Sequence, residues 1–151
     1  MQLPERVELE YVGEDGLKHR PVMIHRVVLG SIERFIGVIT EHFAGAFPLW
    51  LAPVQVRVLP VTDRAGDYAD QVNKALEAAG LRTEVDHRSE KLGYKIREAQ
   101  GQKIPYMVVV GDKDMENRTV SIRHRSGKDL GAMSVEAFVE LLKQEIDSKA
   151  R

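Results

Sequence analysis

The 151-residue sequence contains no cysteine. This excludes disulfides and any thiolate metal site, and it fits a reducing cytoplasm. No apolar run approaches the roughly 18 residues needed to span a bilayer, and the N-terminus lacks the basic, then apolar, pattern of a secretory signal. Nothing repeats, and no tract is of low complexity. No glycine-rich phosphate loop is present either, since the turn Gly111-Asp112-Lys113-Asp114 is far from any P-loop or dinucleotide fingerprint. Net charge is missing too: 22 Lys and Arg against 23 Asp and Glu leave −1. The net charge therefore gives no global reason to expect binding to nucleic acid.

What is present is an ordinary globular composition, 43% hydrophobic and 30% charged, with length for one good domain and a fragment of another. Charge is segregated locally. Arg82 to Lys128 carries 11 Lys and Arg against 7 Asp and Glu. Such a segment is either a solvated face of mixed charge or the basic surface that phosphate contacts require.

Along the chain, Val7, Leu9 and Tyr11 alternate with charged residues as in a half-buried strand, and Gly13-Glu14-Asp15-Gly16 reads as a turn. Val22 to Leu29 is β-branched and apolar enough for a buried strand; Gly30-Ser31 then breaks the run and offers a hydroxyl as helix N-cap. Ile32, Phe35, Ile36, Ile39 and Phe43 follow the spacing of one buried helix face. Two residues stand out against this apolar background, His25 in the strand and Arg34 in the helix's first turns, where a cation opposes the macrodipole. The prolines at 48 and 53 break regular structure, and the apolar residues between them suggest a linker packed on a domain surface.

From Val54 onward strands and helices alternate. Val54, Val56, Val58 and Val61 mark a strand, and Asp67 to Ala79 a helix stopped by Gly80. Arg82 to Asp86 reads as a short strand. Ser89 can cap a helix with the stripe Leu92, Ile96 and Ala99. Tyr106 to Val110, entered by Pro105, reads as a central strand buried on both faces. Thr119 to Arg125 turns Val120 and Ile122 inward and Ser121, Arg123 and Arg125 outward. Ser134 caps a last helix facing the core through Val135, Phe138, Val139, Leu142 and Ile146. The pattern predicts an α/β domain with a mixed, mostly parallel five-stranded sheet flanked by helices in three layers.

The run His25-Arg26-Val27-Val28-Leu29-Gly30-Ser31-Ile32-Glu33-Arg34-Phe35 resembles the third signature motif of class II aminoacyl-tRNA synthetases, in detail that of bacterial threonyl-tRNA synthetases. The resemblance extends from Leu3-Pro4-Glu5-Arg6 through Trp50-Leu51-Ala52-Pro53-Val54-Gln55-Val56 and Arg88-Ser89-Glu90-Lys91-Leu92-Gly93. It continues over Ile104-Pro105-Tyr106-Met107 to Gly127-Lys128-Asp129-Leu130-Gly131. It covers only the C-terminal portion of that enzyme. It implies a remnant of the antiparallel catalytic domain at residues 1–47, a linker at 48–53 and an anticodon-binding domain at 54–148.

The resemblance also assigns roles. His25 matches one of three zinc ligands, the metal holding the amino group and hydroxyl of threonine. The other two ligands lie upstream, so His25 is expected to be an orphan here; the alternative is a buried, satisfied histidine. Arg34 matches the arginine that clamps the ATP γ-phosphate, a role suited to a permanently charged fork; the alternative is a surface arginine paired with Glu33. Ser89, Arg97, Asp114 and Arg123 match residues that read the middle G and last U of threonine anticodons. The family often has Asn at Ser89 and Glu at Asp114. Ser89 has a rival role as a helix cap. Lys91, Lys95 and Arg125 read either as phosphate contacts or as solvated surface charge.

The expected partner is tRNA-Thr, together with the missing N-terminal and catalytic domains, and neither DNA nor a membrane. The intact enzyme would use zinc and Mg-ATP and dimerise through its catalytic core. The chain alone is expected to bind no cofactor tightly and to be inactive. A free-standing interaction or regulatory module, a flavodoxin-like nucleotide-binding domain and a related synthetase are the rival readings.

Overall fold

The computed structural model describes residues 3–149. It divides into two compact units, Met1–Gly37 and Val38–Arg151. The first opens with a helical turn, α1 (Leu3–Arg6), followed by a hairpin of β1 (Tyr11–Val12) and β2 (Lys18–His19). Asp15 shapes the hairpin turn by accepting from the Leu17 N–H at 3.0 Å and from His19 Nε2, and Gly16 takes a left-handed φ of 72°. Val7 and Leu9 are not in a strand, contrary to the alternating pattern. The N–H groups of Val7 and Leu9 turn back to the carbonyls of Leu3 and Pro4, which closes the helical turn.

The buried strand expected over Val22–Leu29 does not form. A strand needs an edge to pair with, and among the described residues none lies beside this run. Val22, Ile24, Val27 and Val28 are consequently exposed. The helix after it, α2 (Ile32–Phe43), starts where expected: Ser31 Oγ accepts from the Arg34 N–H at 3.4 Å. Its apolar face has no buried residue within this chain.

The second unit holds a sheet in the order β4-β3-β5-β6-β7. In chain order its elements are β3 (Val56–Pro60), a 3-10 turn (Asp63–Ala65), α3 (Gly66–Ala78), β4 (Thr83–Val85), α4 (Leu92–Gly101) and β5 (Tyr106–Val110). There follow α5 (Asp112–Asn117), β6 (Val120–His124), β7 (Asp129–Met133) and α6 (Val135–Ser148). The expected mixed five-stranded sheet is present, its pairings evenly divided. β3 runs parallel to β4 and β5, while β5-β6 and β6-β7 are antiparallel. The antiparallel half excludes a flavodoxin-like domain, in which every strand would be parallel.

Strand alternation distributes the core. Val56, Val58, Val108, Val110, Val120 and Ile122 face one side, where α3 packs through Val72 and Leu76 and α6 through Phe138 and Leu142. Leu59 and Met107 face the other side, under Ala99, Ile96 and Leu92 of α4. Two crossovers thus leave β3 and β4 toward opposite faces. α6 is tied down further by Tyr106, whose hydroxyl donates to Glu145 at 2.6 Å and whose ring meets Phe138 edge-on.

The segment 48–53 is fastened to this unit. Leu49 and Ala52 are buried, and Gln55, 1% exposed, donates through Nε2 to the Leu49 carbonyl and accepts the Arg82 N–H, each at 2.9 Å. Arg82 donates to the carbonyls of Ala52 and Trp50. Arg125 donates to that of Phe47. Among the described residues no helix is long and apolar enough to cross a membrane. Gln55→Leu keeps the bulk but strands the buried Leu49 carbonyl and the part-buried Arg82 N–H. Urea denaturation should show a loss of about 1–3 kcal/mol.

Candidate nucleic-acid interface

Of the four residues matched to anticodon reading, Ser89, Asp114 and Arg123 lie at two neighbouring features of the second unit, and Arg97 lies at neither. The first is a cleft of about 350 Å3 at the C-terminal ends of β3 and β4, between the loops that depart to opposite faces of the sheet. In α/β sheets this divergence is where ligands bind. Ser89 and Lys91 line the cleft together with Val61, Thr62 and Lys95. Ser89 is exposed and does not cap α4. Lys91 holds the N-cap position without a side-chain bond, so the Ser89 hydroxyl is left to the cleft.

The cleft's far lip is rigid because of Asp86. This carboxylate, 7% exposed, accepts the Arg88 N–H at 3.1 Å and the two arms of the Arg88 guanidinium at 2.9 and 2.7 Å. Arg88 also bonds Glu98 on α4 at 2.8 Å. The Arg88 side chain, followed by its backbone N–H, holds the Asp86 carboxyl down at about 2, against the opposing effect of burial. The paired carboxylates in turn raise the Arg88 pKa.

The second feature is an uncovered stretch of sheet. On the side where α4 covers β3 and β5, the strands β6 and β7 present Ser121, Arg123 and Ala132, and Arg123 and Ala132 are exposed. Arg123 lies in register beside Met107 and Asp129, 3.4 Å from the Asp129 carboxylate, with 48% of its side chain exposed. At the end of this stretch Asp114 accepts the Gly111 N–H and the Ser121 hydroxyl, each at 3.0 Å. Asp114 is therefore a structural clasp between α5 and β6 as well as a candidate base-reading acid. Thr62 joins the two features by donating to Asp112 at 3.1 Å. Arg97 is exposed on α4.

Two residues grouped with the surface cations are placed differently. Arg125 is half-buried, binding the carbonyls of Phe47 and Lys103, and burial lowers its pKa. Lys95 is buried at 3% exposure. A signal for it was available: Leu92, Lys95, Ile96 and Ala99 make one i, i+3, i+4, i+7 stripe, with a lysine at one of its four positions.

His25 and Arg34 are exposed in the first unit. His25 is therefore not the buried, satisfied histidine of its alternative reading. Among the described residues no three His, Asp or Glu lie close enough to hold a metal ion. One imidazole supplies a single donor where zinc takes three or four, so this chain's own residues do not fit a zinc site.

Residues 55–145 match the family described as "Anticodon binding domain". The threonine–tRNA ligase of Syntrophomonas wolfei is 66% identical over 98% of the chain, and that of Acetivibrio thermocellus is 61% identical over the same share. The chain spans 23% of the length of each. Among solved structures, the RNA-binding domain of threonyl-tRNA synthetase from Cryptosporidium parvum superposes with a TM-score of 0.75. It is 32% identical, over 96% of this chain and 37% of that one.

Two stability measurements test the geometry. Because the folded carboxyl of Asp86 sits near 2 against an ordinary 3.8, only the unfolded state takes up its proton as pH falls between these values. Its contribution, roughly 1–2 kcal/mol given the half-exposed partner, should be complete above about pH 4 and vanish toward pH 2. Asp86→Asn should flatten that part of the urea stability profile. Asp114→Ala should cost about 1–2 kcal/mol in the same assay, because an N–H and a hydroxyl lose their acceptor.

Proposed function

The chain belongs to the anticodon-binding domain family, and from that membership we propose that it is the C-terminal part of a threonine–tRNA ligase, binding tRNA-Thr by its anticodon. The observation that carries the reading is the uncovered β6-β7 face, where Arg123 and Asp114 flank a strand surface that no helix covers among the described residues. A guanidinium can grip guanine O6 and N7 in a bidentate manner, and a carboxylate can accept from guanine N1 and N2, each good pair giving about 1–3 kcal/mol of discrimination. Ser89 would meet a base edge from the cleft, and Arg97 would supply a further charged contact from α4.

Residues 1–47 are, in this reading, the end of the catalytic domain, 48–53 the linker and 54–148 the anticodon-binding domain. The intact ligase activates threonine with Mg-ATP, Arg34 clamping the γ-phosphate, and works in the cytoplasm as a homodimer. This chain alone binds RNA and does not aminoacylate. A free-standing regulatory module is disfavoured, because the curated relatives are ligases that match 98% of the chain.

The test is binding to tRNA-Thr transcripts with the native anticodon and with the middle G and last U replaced, at two salt concentrations. Replacing both bases should cost about 2 kcal/mol or more, and Arg123→Ala should remove most of that difference while leaving the melting temperature unchanged. Binding that is equal for all transcripts and disappears with salt would overturn the reading.

A further inference from the structure

Residues 47–52 lie in no helix or strand, so their carbonyls lack the partners that regular structure supplies. Side chains from three other places meet four of these carbonyls. Arg125 donates to Phe47 at 2.6 Å and Gln55 to Leu49 at 2.9 Å, while Arg82 donates to Ala52 at 2.9 Å and to Trp50 at 3.0 Å. The Pro48 carbonyl is taken from within, by the N–H groups of Leu51 and Ala52. Leu49 also sits in the same apolar core as Val56 and Phe138. The segment is a strap laid onto the second unit, not a loose tether. Only residues 44–46 separate it from α2.

The two arginines hold the strap in different ways. Arg82 uses two nitrogens, Nε and Nη2, so one planar fork bridges carbonyls two residues apart. Arg125 uses a single nitrogen, Nη1, for the carbonyls of Phe47 and Lys103. Their places in the chain connect them to the candidate RNA face. Arg82 immediately precedes β4, which runs on through Asp86 to Ser89, and Arg125 immediately follows β6, which carries Arg123. β4 and β6 belong to one hydrogen-bonded sheet. The groups that grip the strap and the groups proposed to read the anticodon are thus built on the same two strands.

We propose that Arg82 and Arg125 are positioning residues for aminoacylation: they fix the course on which the chain enters the anticodon-binding unit, so that a tRNA held by its anticodon presents its acceptor end productively. The inference rests on the anticodon reading and deepens it. Neither arginine is assigned a contact with a base, with ATP or with threonine; each acts through the strap. A tRNA is a long lever, so a small rotation at the strap becomes a large displacement at the far end. A misplacement of about 1 Å at a reacting centre can cost on the order of 100-fold in rate. Loosening the strap therefore lowers turnover and leaves the grip on the anticodon intact.

The experiment uses the threonine–tRNA ligase that contains this sequence, and this chain for RNA binding. Arg82→Ala and Arg82→Lys should both lower kcat for charging tRNA-Thr about tenfold, with KM for tRNA within about twofold, because a lysine cannot bridge two carbonyls. Arg125→Ala should act alike, but Arg125→Lys should retain most of the rate, since one nitrogen serves both of its carbonyls. Pyrophosphate exchange with threonine and ATP, which needs no tRNA, should stay within about twofold in every variant, and so should the affinity of this chain for an anticodon stem-loop. Four glycines inserted between Gly45 and Ala46 leave the clamps in place but free the strap from what precedes it. They should reproduce the loss in kcat.

A phosphate contact would give a different pattern. Stem-loop affinity would fall in both alanine variants and survive in both lysine variants, with the loss appearing in KM. That result overturns the proposal, as does an unchanged kcat in Arg82→Ala or in the glycine insertion. Exchange that falls in step with charging would mean general destabilisation and also overturns it. If the unmodified ligase charges transcripts with the middle G and last U replaced as well as native ones, the anticodon reading itself fails, a result distinct from all of these.

Discussion

Asp86 ends β4 with its side chain committed to one cation and its backbone to another. The carboxylate is taken by Arg88, and the carbonyl by Lys95. One residue therefore fixes the loop that carries Ser89 and, through the lysine, the seat of α4 against the sheet. Arg88 reaches on to Glu98, so the same helix is held at a second point along its length. A loop between a three-residue strand and a helix would ordinarily be free to vary. Here its geometry follows from a charge that cannot be left unpaired away from water.

The sheet provides the complementary constraint. Within the parallel half, β3 and β5 are covered on both faces because the crossovers are helices. The antiparallel half needs no crossover, so β6 and β7 are covered by α6 on one side and left open on the other. Arg123 faces out through that opening. A row of residues crosses the sheet on this side, Glu84, Arg57, Met107, Arg123 and Asp129, with an ion pair at each end. Arg57 is buried in its pair, and Arg123 is half-exposed in its own, which leaves it able to exchange a surface carboxylate for a nucleotide.

Much of the second unit was legible because its strands and helices carry strong periodic patterns. Tyr106–Val110 reads as central, and alternation in Val120–His124 reports which side is wet. The short pieces α5 and β7 were not legible: α5 is a single clasped turn, and β7, Asp129-Leu130-Gly131-Ala132-Met133, lacks β-branched residues and forms because β6 offers it an edge. Val22–Leu29 failed in the opposite sense, with a strong local preference for a strand and, among the described residues, nothing alongside to pair with. At the candidate site, Arg123, Asp114 and Ser89 came from resemblance. Lys95 and Arg125 were misplaced because a long cation reads as surface until its depth is known, and burial through a hydrogen-bonded tip leaves only a faint mark in sequence.

The position of β3 in the sheet has a consequence for synthesis. β3 pairs with β4 on one edge and with β5 on the other, and β5 lies some fifty residues further along the chain. During translation Val56-Arg57-Val58-Leu59-Pro60 must therefore wait, apolar and unpaired along one edge, until Tyr106–Val110 has left the ribosome. Such a segment is a template for pairing with other nascent chains. Arg57 and Pro60 stand inside it as the charge and the missing N–H that discourage such encounters. In the finished domain the same arginine is neutralised by Glu84 and donates to the Gln102 side-chain carbonyl, so the safeguard of the unfinished chain becomes part of the core of the finished one.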